Sequence, residues 1–300
     1  MNVFSRIFRR LSPPQAAPAV PHTMFRASDM NEEIAREGLV IFPWLDAAEM
    51  DALAQTVRDA SEGVDVSDVH IPTNFRLSAF SNDGVFKARL YERVYALLSA
   101  RLEKLLPGYE PLVINVFEKH PESGYDPVPI HQNPSFVREP EHRSVSLWIP
   151  LQDVSKQNGT LGVLRGSHGR FNLMRAGNMP HEDVFATVGP RLESDDFEAL
   201  EVRRGEAVAL DDSIIHWSYP NVSNKARIAV QLIMVPREAK HIYFYYNQDK
   251  ASPSMDLYEV DKDFFFGFNC KARPQGLKKV GNVPYVYDQI TERDLFAGRG

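Results

Sequence analysis

Two textures of hydrophobic patterning divide this chain of 300 residues. Up to about residue 108 the apolar positions recur mostly with helical spacing. GLVIFPWL (38–45) is a short continuous apolar run and predicts a buried strand. DAAEMDALAQTVRDA (46–60) then predicts a helix with Asp46 as its N-cap. VFKARLYERVYALLSARLEKLLPG (85–108) repeats apolar side chains at Leu90, Val94, Leu97, Leu98, Leu102 and Leu105, the stripe of an amphipathic helix closed by Pro107-Gly108. Beyond residue 110 the runs shorten to strand length, with Pro, Gly, Asn and Ser between them: PLVINVFE (111–118), RSVSLWIPL (143–151), TLGVLRG (160–166), EAVALDD (206–212), RIAVQLIMV (227–235) and HIYFYY (241–246). Helices followed by many short strands predict an α+β domain whose core is a β-sandwich or jelly-roll, cupin-like barrel with helices on one face. Residues 171–200 are polar and weakly periodic, which predicts a long insertion of the lid or binding-loop kind.

The first residues differ from this body. MNVFSRIFRRLSPP spaces Phe4, Ile7, Phe8 and Leu11 at helical intervals among Arg6, Arg9 and Arg10, and Pro13-Pro14 ends the pattern. Two readings stand open for residues 1–12: peripheral docking on an anionic membrane surface, or a tail that frays or packs on the body. PPQAAPAVPH (13–22) is a linker by composition, so residues 1–35 are expected as a basic segment with its linker and 36–300 as one domain. Within that domain the expected parts are a helical flank over 46–108, a barrel core over about 111–250 and an aromatic-rich extension over 251–300.

Composition narrows the classes. Hydrophobic residues make up 43% and charged residues 25%, ordinary values for a globular protein, and no apolar run reaches membrane-span length. Cys270 is the single cysteine, so a metal here must use His, carboxylate or amide ligands; the same count fits a cytoplasmic setting. The net charge of -6 argues against nucleic acid as the partner.

Four pieces of candidate chemistry follow one another in the β-rich half: His131-Gln132-Asn133; SLWIPLQDVSKQNGTLGVLRGSH (146–168); GEAVALDDSIIHWSYPN (205–221); and Arg227. Each alone is weak. A lone His216 is more often structural than a ligand, His168 reads as a turn or rim residue, and Asn158-Gly159 is a turn signal. Trp148 reads equally as sheet core or cavity wall, and Asn115, polar within an apolar strand, as cavity-facing or as a satisfied strand amide. The ordered set is far more specific.

HQNPSFV, VSLWIPL, NGTLGVLRGSH and HWSYPNVSNKAR, over about residues 112–235, resemble the motifs of the phytanoyl-CoA dioxygenase family of non-haem iron, 2-oxoglutarate-dependent oxygenases. That resemblance implies a double-stranded β-helix, iron(II) held by His131, His216 and the residue at position 133, and Arg227 anchoring the 2-oxoglutarate cosubstrate. It also implies that Trp148 lines the cosubstrate pocket and that Ser218 hydrogen-bonds the same carboxylate, and Asn115, if it faces the cavity, joins them as a cosubstrate contact. Two imidazoles and one carboxylate on a single octahedral face leave open positions for a bidentate 2-oxo acid and dioxygen. An arginine fork matches the distal carboxylate better than a lysine does. A small or lipid-like metabolite is then the expected substrate, hydroxylated with release of succinate and carbon dioxide.

One position departs from the family. Asn133 stands where the family has a carboxylate, which removes one negative charge and weakens the donor. Three readings stay open: a working oxygenase with Asn133 on the iron directly or through water; a weak or silent relative that binds a ligand or a membrane surface; and a halogenase-type centre with an anion at the third corner. Asp126, Glu139 and Asp212 are the acids that could substitute, though none has the offset of the motif. The C-terminal aromatics and Lys271, Arg273, Lys278 and Lys279 could face substrate, but read more simply as packing and a solvated face.

Overall fold

The computed structural model describes residues 23–64, 75–121, 128–139, 141–188, 197–248, 252–267 and 273–296. The basic segment 1–12, the linker 13–22, Asp126, Cys270 and Lys271 lie outside the described residues.

Three helices precede most of the barrel: α1 (Ser28–Glu37), α2 (Ala47–Ser61) and α3 (Gly84–Leu105). Asp46 caps α2 as its pattern predicts: Glu49 N–H donates to Asp46 Oδ1 at 2.9 Å and Asp46 N–H donates to Glu49 Oε2 at 2.9 Å, a reciprocal capping box. Of the stripe on α3, Leu90, Val94, Leu98 and Leu102 are buried, whereas Leu97 is 38% exposed. At about 3.6 residues per turn Leu97 lies roughly 100° round the helix from Leu98, beyond the edge of the buried face.

The strands form two facing sheets and a third beside them. The large sheet runs β1 (Leu39–Pro43), β8 (Glu206–Asp211), β5 (Val145–Pro150), β10 (Arg227–Pro236), β3 (Tyr109–Lys119), β2 (Phe75–Leu77) in space. The smaller one runs β4 (Val128–His131), β9 (His216–Ser218), β6 (Leu161–Val163), β7 (Glu198–Ala199). All pairings in both are antiparallel.

Alternation along the central strands sorts their side chains. Val145, Leu147 and Ile149 of β5, with Val230, Leu232 and Met234 of β10, join α1, α2 and α3 in one apolar cluster on the outer face. The intervening residues Ser146, Trp148, Ala229, Gln231 and Ile233 face inward. Register places Gln231 opposite both Trp148 and Asn115, so these three share one inner row. In the small sheet Ile215, Trp217 and Tyr219 turn outward while His216 and Ser218 turn in.

Two parts differ from the pattern-based expectation. The stretch beginning at Phe171 does lie between β6 and β7, and Gly177, Asn178, Met179 and Pro180 line the main cavity, but its described part is less polar than expected: Ala176, Met179, Val184, Phe185 and Val188 are buried in a cluster with Trp217 and Tyr219, and the short helix α4 (His181–Val184) lies within it. Its apolar residues are irregularly spaced because they pack from turns, which leaves no period to read. Strand β11 (Ile242–Asn247) pairs with β12 (Ser254–Glu259) and this with β13 (Lys279–Pro284), so a boundary at residue 250 falls inside a separate three-stranded sheet. The helices α5 (Lys262–Gly267) and α6 (Glu292–Phe296) complete the described elements. No helix among the described residues is long and apolar enough to cross a membrane.

Gly162 lets the small sheet close. A Cβ there would lie 2.1 Å from Trp217 Nε1, so only glycine admits the indole that lies across β6. Gly162→Ala is therefore expected to destabilise the protein by about 1–3 kcal/mol through overpacking, read as a fall in Tm. An unchanged Tm would show that Trp217 repacks at no cost.

Candidate active site

His131 ends β4 and His216 begins β9, and the two are direct register partners. Pairing brings their rings to a centroid distance of 4.2 Å at 50°. The Nδ1 of His131 lies 2.8 Å from the Pro129 carbonyl oxygen and that of His216 lies 3.0 Å from the Ile214 carbonyl oxygen. Each Nδ1–H donates to its carbonyl, which fixes the tautomer with the lone pair on Nε2. Burial pushes the His131 pKa below the ordinary histidine value, so the neutral, metal-binding form is favoured.

Asn133 follows two residues later on the same edge. Its Nδ2 donates to Asp212 Oδ1 at 2.8 Å and to Ser146 Oγ at 3.2 Å. With the amide nitrogen turned to a carboxylate, Oδ1 is left as the acceptor on the other side of the group. Burial pushes the Asp212 carboxyl up to about 6, against the hydrogen bonds from Ser146 and Asn133 that lower it. Of the other two acids named from sequence, Glu139 is committed elsewhere and Asp126 lies outside the described residues.

The loop that carries Asn133 is held by a residue the sequence did not single out. Arg175, 1% exposed, donates Nε–H to the Asn133 carbonyl oxygen at 2.6 Å. Its fork pairs with both Glu139 oxygens, at 2.9 Å and 2.7 Å. Nothing in its local pattern distinguishes it from a surface arginine, because its partners lie 36 and 42 residues away. Lys119 was equally silent: it ends β3 beside Arg227 in register, is buried, and donates from Nζ to the Ser218 and Tyr219 carbonyls.

Arg227 is 2% exposed and opens β10. Its Nη2 donates to the Gly159 carbonyl oxygen at 2.9 Å, an oxygen presented by the positive φ of 83° that the Asn158-Gly159 turn requires. Its Nε and Nη1 have no hydrogen-bond partner among the described residues, nor has the buried hydroxyl of Ser218. Trp148 lies beneath the guanidinium, 5.5 Å from ring centroid to Cζ. Burial without a carboxylate partner pushes the Arg227 pKa down to about 9.

One cavity of about 1030 Å³ is lined by all seven residues singled out from sequence: Asn115, His131, Asn133, Trp148, His216, Ser218 and Arg227. Trp148 is both sheet core and cavity wall, and Asn115 both faces the cavity and donates to Gln231 Oε1 at 3.4 Å. His168 does not line the cavity: its Nε2 lies 3.1 Å from the Ala35 carbonyl oxygen. Leu77, Leu112, Val113, Ile233, Phe265 and Phe266 give the rest of the cavity an apolar lining. The donor set suits the expected reagents: two imidazole Nε2 atoms and an amide oxygen for a cation, and a desolvated guanidinium with two orphaned N–H groups for a carboxylate. No group of three His, Cys, Asp or Glu side chains suitable for a metal occurs among the described residues.

The two facing antiparallel sheets with this cavity between them define a double-stranded β-helix. Residues 35–229 match the model of the family described as phytanoyl-CoA dioxygenase (PhyH), and the chain belongs to that family. A phytanoyl-CoA dioxygenase of Arabidopsis thaliana is 32% identical over 157 residues, 51% of this chain and 53% of that protein. The chain spans about half the length of the curated relatives it matches first. Among solved structures, the carbocyclase SnoK of nogalamycin biosynthesis superposes with a TM-score of 0.52 at 18% identity, over 72% of this chain and 86% of that one. The epimerase SnoN, in complex with Fe3+, alpha ketoglutarate and nogalamycin RO, gives a TM-score of 0.54 at 15% identity over 89% and 96%. At such identities these likenesses establish the shared fold.

Arg175→Met should cost about 3–5 kcal/mol, because Glu139 is left buried and unpaired. Urea unfolding would measure it. Adding Glu139→Gln should recover part of the loss, and equal stabilities for the single and double variants would refute the pairing as the cause.

Proposed function

We propose that this protein is an iron(II)- and 2-oxoglutarate-dependent oxygenase that hydroxylates a small or lipid-like, largely apolar metabolite. The observation that carries the proposal is the buried, unpaired Arg227 in the same cavity as two histidines whose lone pairs are fixed on Nε2. A buried guanidinium lacking a counter-charge is costly unless a ligand supplies one. A 2-oxo diacid would bring a carboxylate to which Arg227 and Ser218 could donate, with Trp148 excluding water from the guanidinium.

In this assignment His131 Nε2, His216 Nε2 and Asn133 Oδ1 would hold the metal, and Arg227, Ser218 and Trp148 would hold the distal end of the cosubstrate. Bound iron and 2-oxoglutarate supply the redox chemistry: one oxygen atom of dioxygen goes to substrate, and the other to the succinate formed as carbon dioxide leaves. The chain's own part is placement. The carbonyls of Pro129 and Ile214 keep the imidazoles in one tautomer, Arg175 holds the backbone that carries Asn133, and the apolar walls shed water from substrate and reacting groups.

A second reading, a ligand-binding relative with a silent centre, draws on the neutral amide at the third corner. A halogenase-type centre is disfavoured, since the Asn133 side chain, tied to Asp212, takes up the space an anion would need.

Anaerobic titration with iron(II) and then 2-oxoglutarate, followed by the visible charge-transfer band and by succinate release, tests the proposal. A band and turnover are expected; neither appearing would leave only the binding role. Arg227→Met should weaken 2-oxoglutarate binding by about 2–5 kcal/mol, the loss typical of a buried charge pair, while leaving iron(II) affinity alone. Equal 2-oxoglutarate affinity in the variant would remove Arg227 from the site.

A further inference from the structure

From the cavity wall a run of polar side chains leads back to one carboxylate. Asn115 Nδ2 donates to Gln231 Oε1 at 3.4 Å, and Gln231 Nε2 donates to Ser146 Oγ at 3.1 Å. Ser146 Oγ donates to Asp212 Oδ1 at 2.6 Å, and the same oxygen accepts from Asn133 Nδ2 at 2.8 Å. Asp212 is fully buried, every one of these donors is neutral, and Oδ2 has no partner among the described residues. The two nearby buried or half-buried arginines are engaged with other acids, Arg143 with Asp211 at 2.7 Å and Arg175 with Glu139 at 2.7 Å. Asp212 is thus a buried acid with no cation of its own, one hydrogen bond behind the amide at the third corner of the site.

We propose that Asp212 is the positioning residue that makes Asn133 serviceable as a metal ligand: it holds the amide with Oδ1 toward the cavity and keeps, one hydrogen bond further out, the negative charge that the motif lacks. The inference rests on the oxygenase assignment above. Two physical effects combine. An amide can present nitrogen or oxygen, and only a strong acceptor behind it decides which; Asp212 and Ser146 accept from Nδ2, so the oxygen goes forward. An amide N–H bonded to a carboxylate also shifts electron density toward its oxygen, as a carboxylate behind a ligating histidine does. Asp212 therefore restores both the direction and part of the charge lost with the carboxylate ligand.

This reading changes what is expected of the obvious repair. Asn133→Asp would set a second carboxylate against Asp212 with no proton between them, and like charges at that distance oppose each other. The repaired site should need both exchanges, the acid moved forward and the amide moved back.

The test is anaerobic cobalt(II) and iron(II) binding by competition with a chelator, with Tm recorded on the metal-free proteins. Asp212→Asn is expected to lower metal affinity about 10- to 100-fold, the usual effect of losing a group behind a ligand, while the metal-free Tm holds or rises. Asn133→Asp alone should fall short of Asn133→Asp/Asp212→Asn, which should recover at least wild-type affinity. Wild-type affinity in Asp212→Asn, a double variant no better than that single one, or a metal-free Asp212→Asn that melts early would each overturn the inference. If the wild-type chain itself binds neither metal, the oxygenase assignment falls as well. If it binds metal and Asp212→Asn binds equally well, only the role of Asp212 falls.

Discussion

The register of β10 between β5 and β3 is the constraint on which the rest depends. Because Gln231 lies opposite Trp148 on one side and Asn115 on the other, alternate residues of all three strands reach the same face together. One phase is apolar and meets the helices; the other carries Asn115, Trp148, Gln231 and, at the strand's start, Arg227 to the cavity wall, with Ser146 beside them. A slip of one residue would turn Arg227 to the helical side and Val230 to the cavity. Burial on both faces makes that slip prohibitive, so the site's geometry is held by the same apolar contacts that hold the domain.

Charge is distributed within this frame in a way that explains the departures from ordinary burial. Arg227 is a cation taken out of water at the start of β10, and Asp212 is an acid taken out of water behind Asn133. Each would be costly alone. A dicarboxylate ligand and a divalent cation, brought into the same cavity, would give each a counter-charge. Arg175 and Glu139, by contrast, satisfy each other completely and serve as scaffold, fixing the backbone at Asn133 from the segment that follows Phe171. The distinction between scaffold and site is thus one of satisfied against unsatisfied buried charge.

Gly162 and the Asn158-Gly159 turn show how the same motif serves both ends. NGTLGVLRGSH supplies the carbonyl that accepts from Arg227 and the bare strand position that Trp217 covers. That motif is therefore specific for two steric reasons, a positive φ and a close approach, rather than for any catalytic group within it.

Much of the site could be read from the chain alone. The seven side chains singled out from motif order all line one cavity, because short strands with period two place motif residues on a shared face almost regardless of what surrounds them. Ser146 and Gln231 carried the same signal as Asn115, a polar residue on the inward phase of an apolar strand, and could have been found by it. Arg175, Lys119 and the role of Asp212 could not. Their meaning comes from partners 36 to 100 residues away, and a buried charge has no local signature. Sequence thus determined the strand phases, the pair of histidines and the arginine fork, since each rests on short-range periodicity or on a motif. Only the tertiary structure decided which acid stands behind Asn133 and which side of its amide faces the cavity, because both depend on long-range packing that removes water from chosen groups.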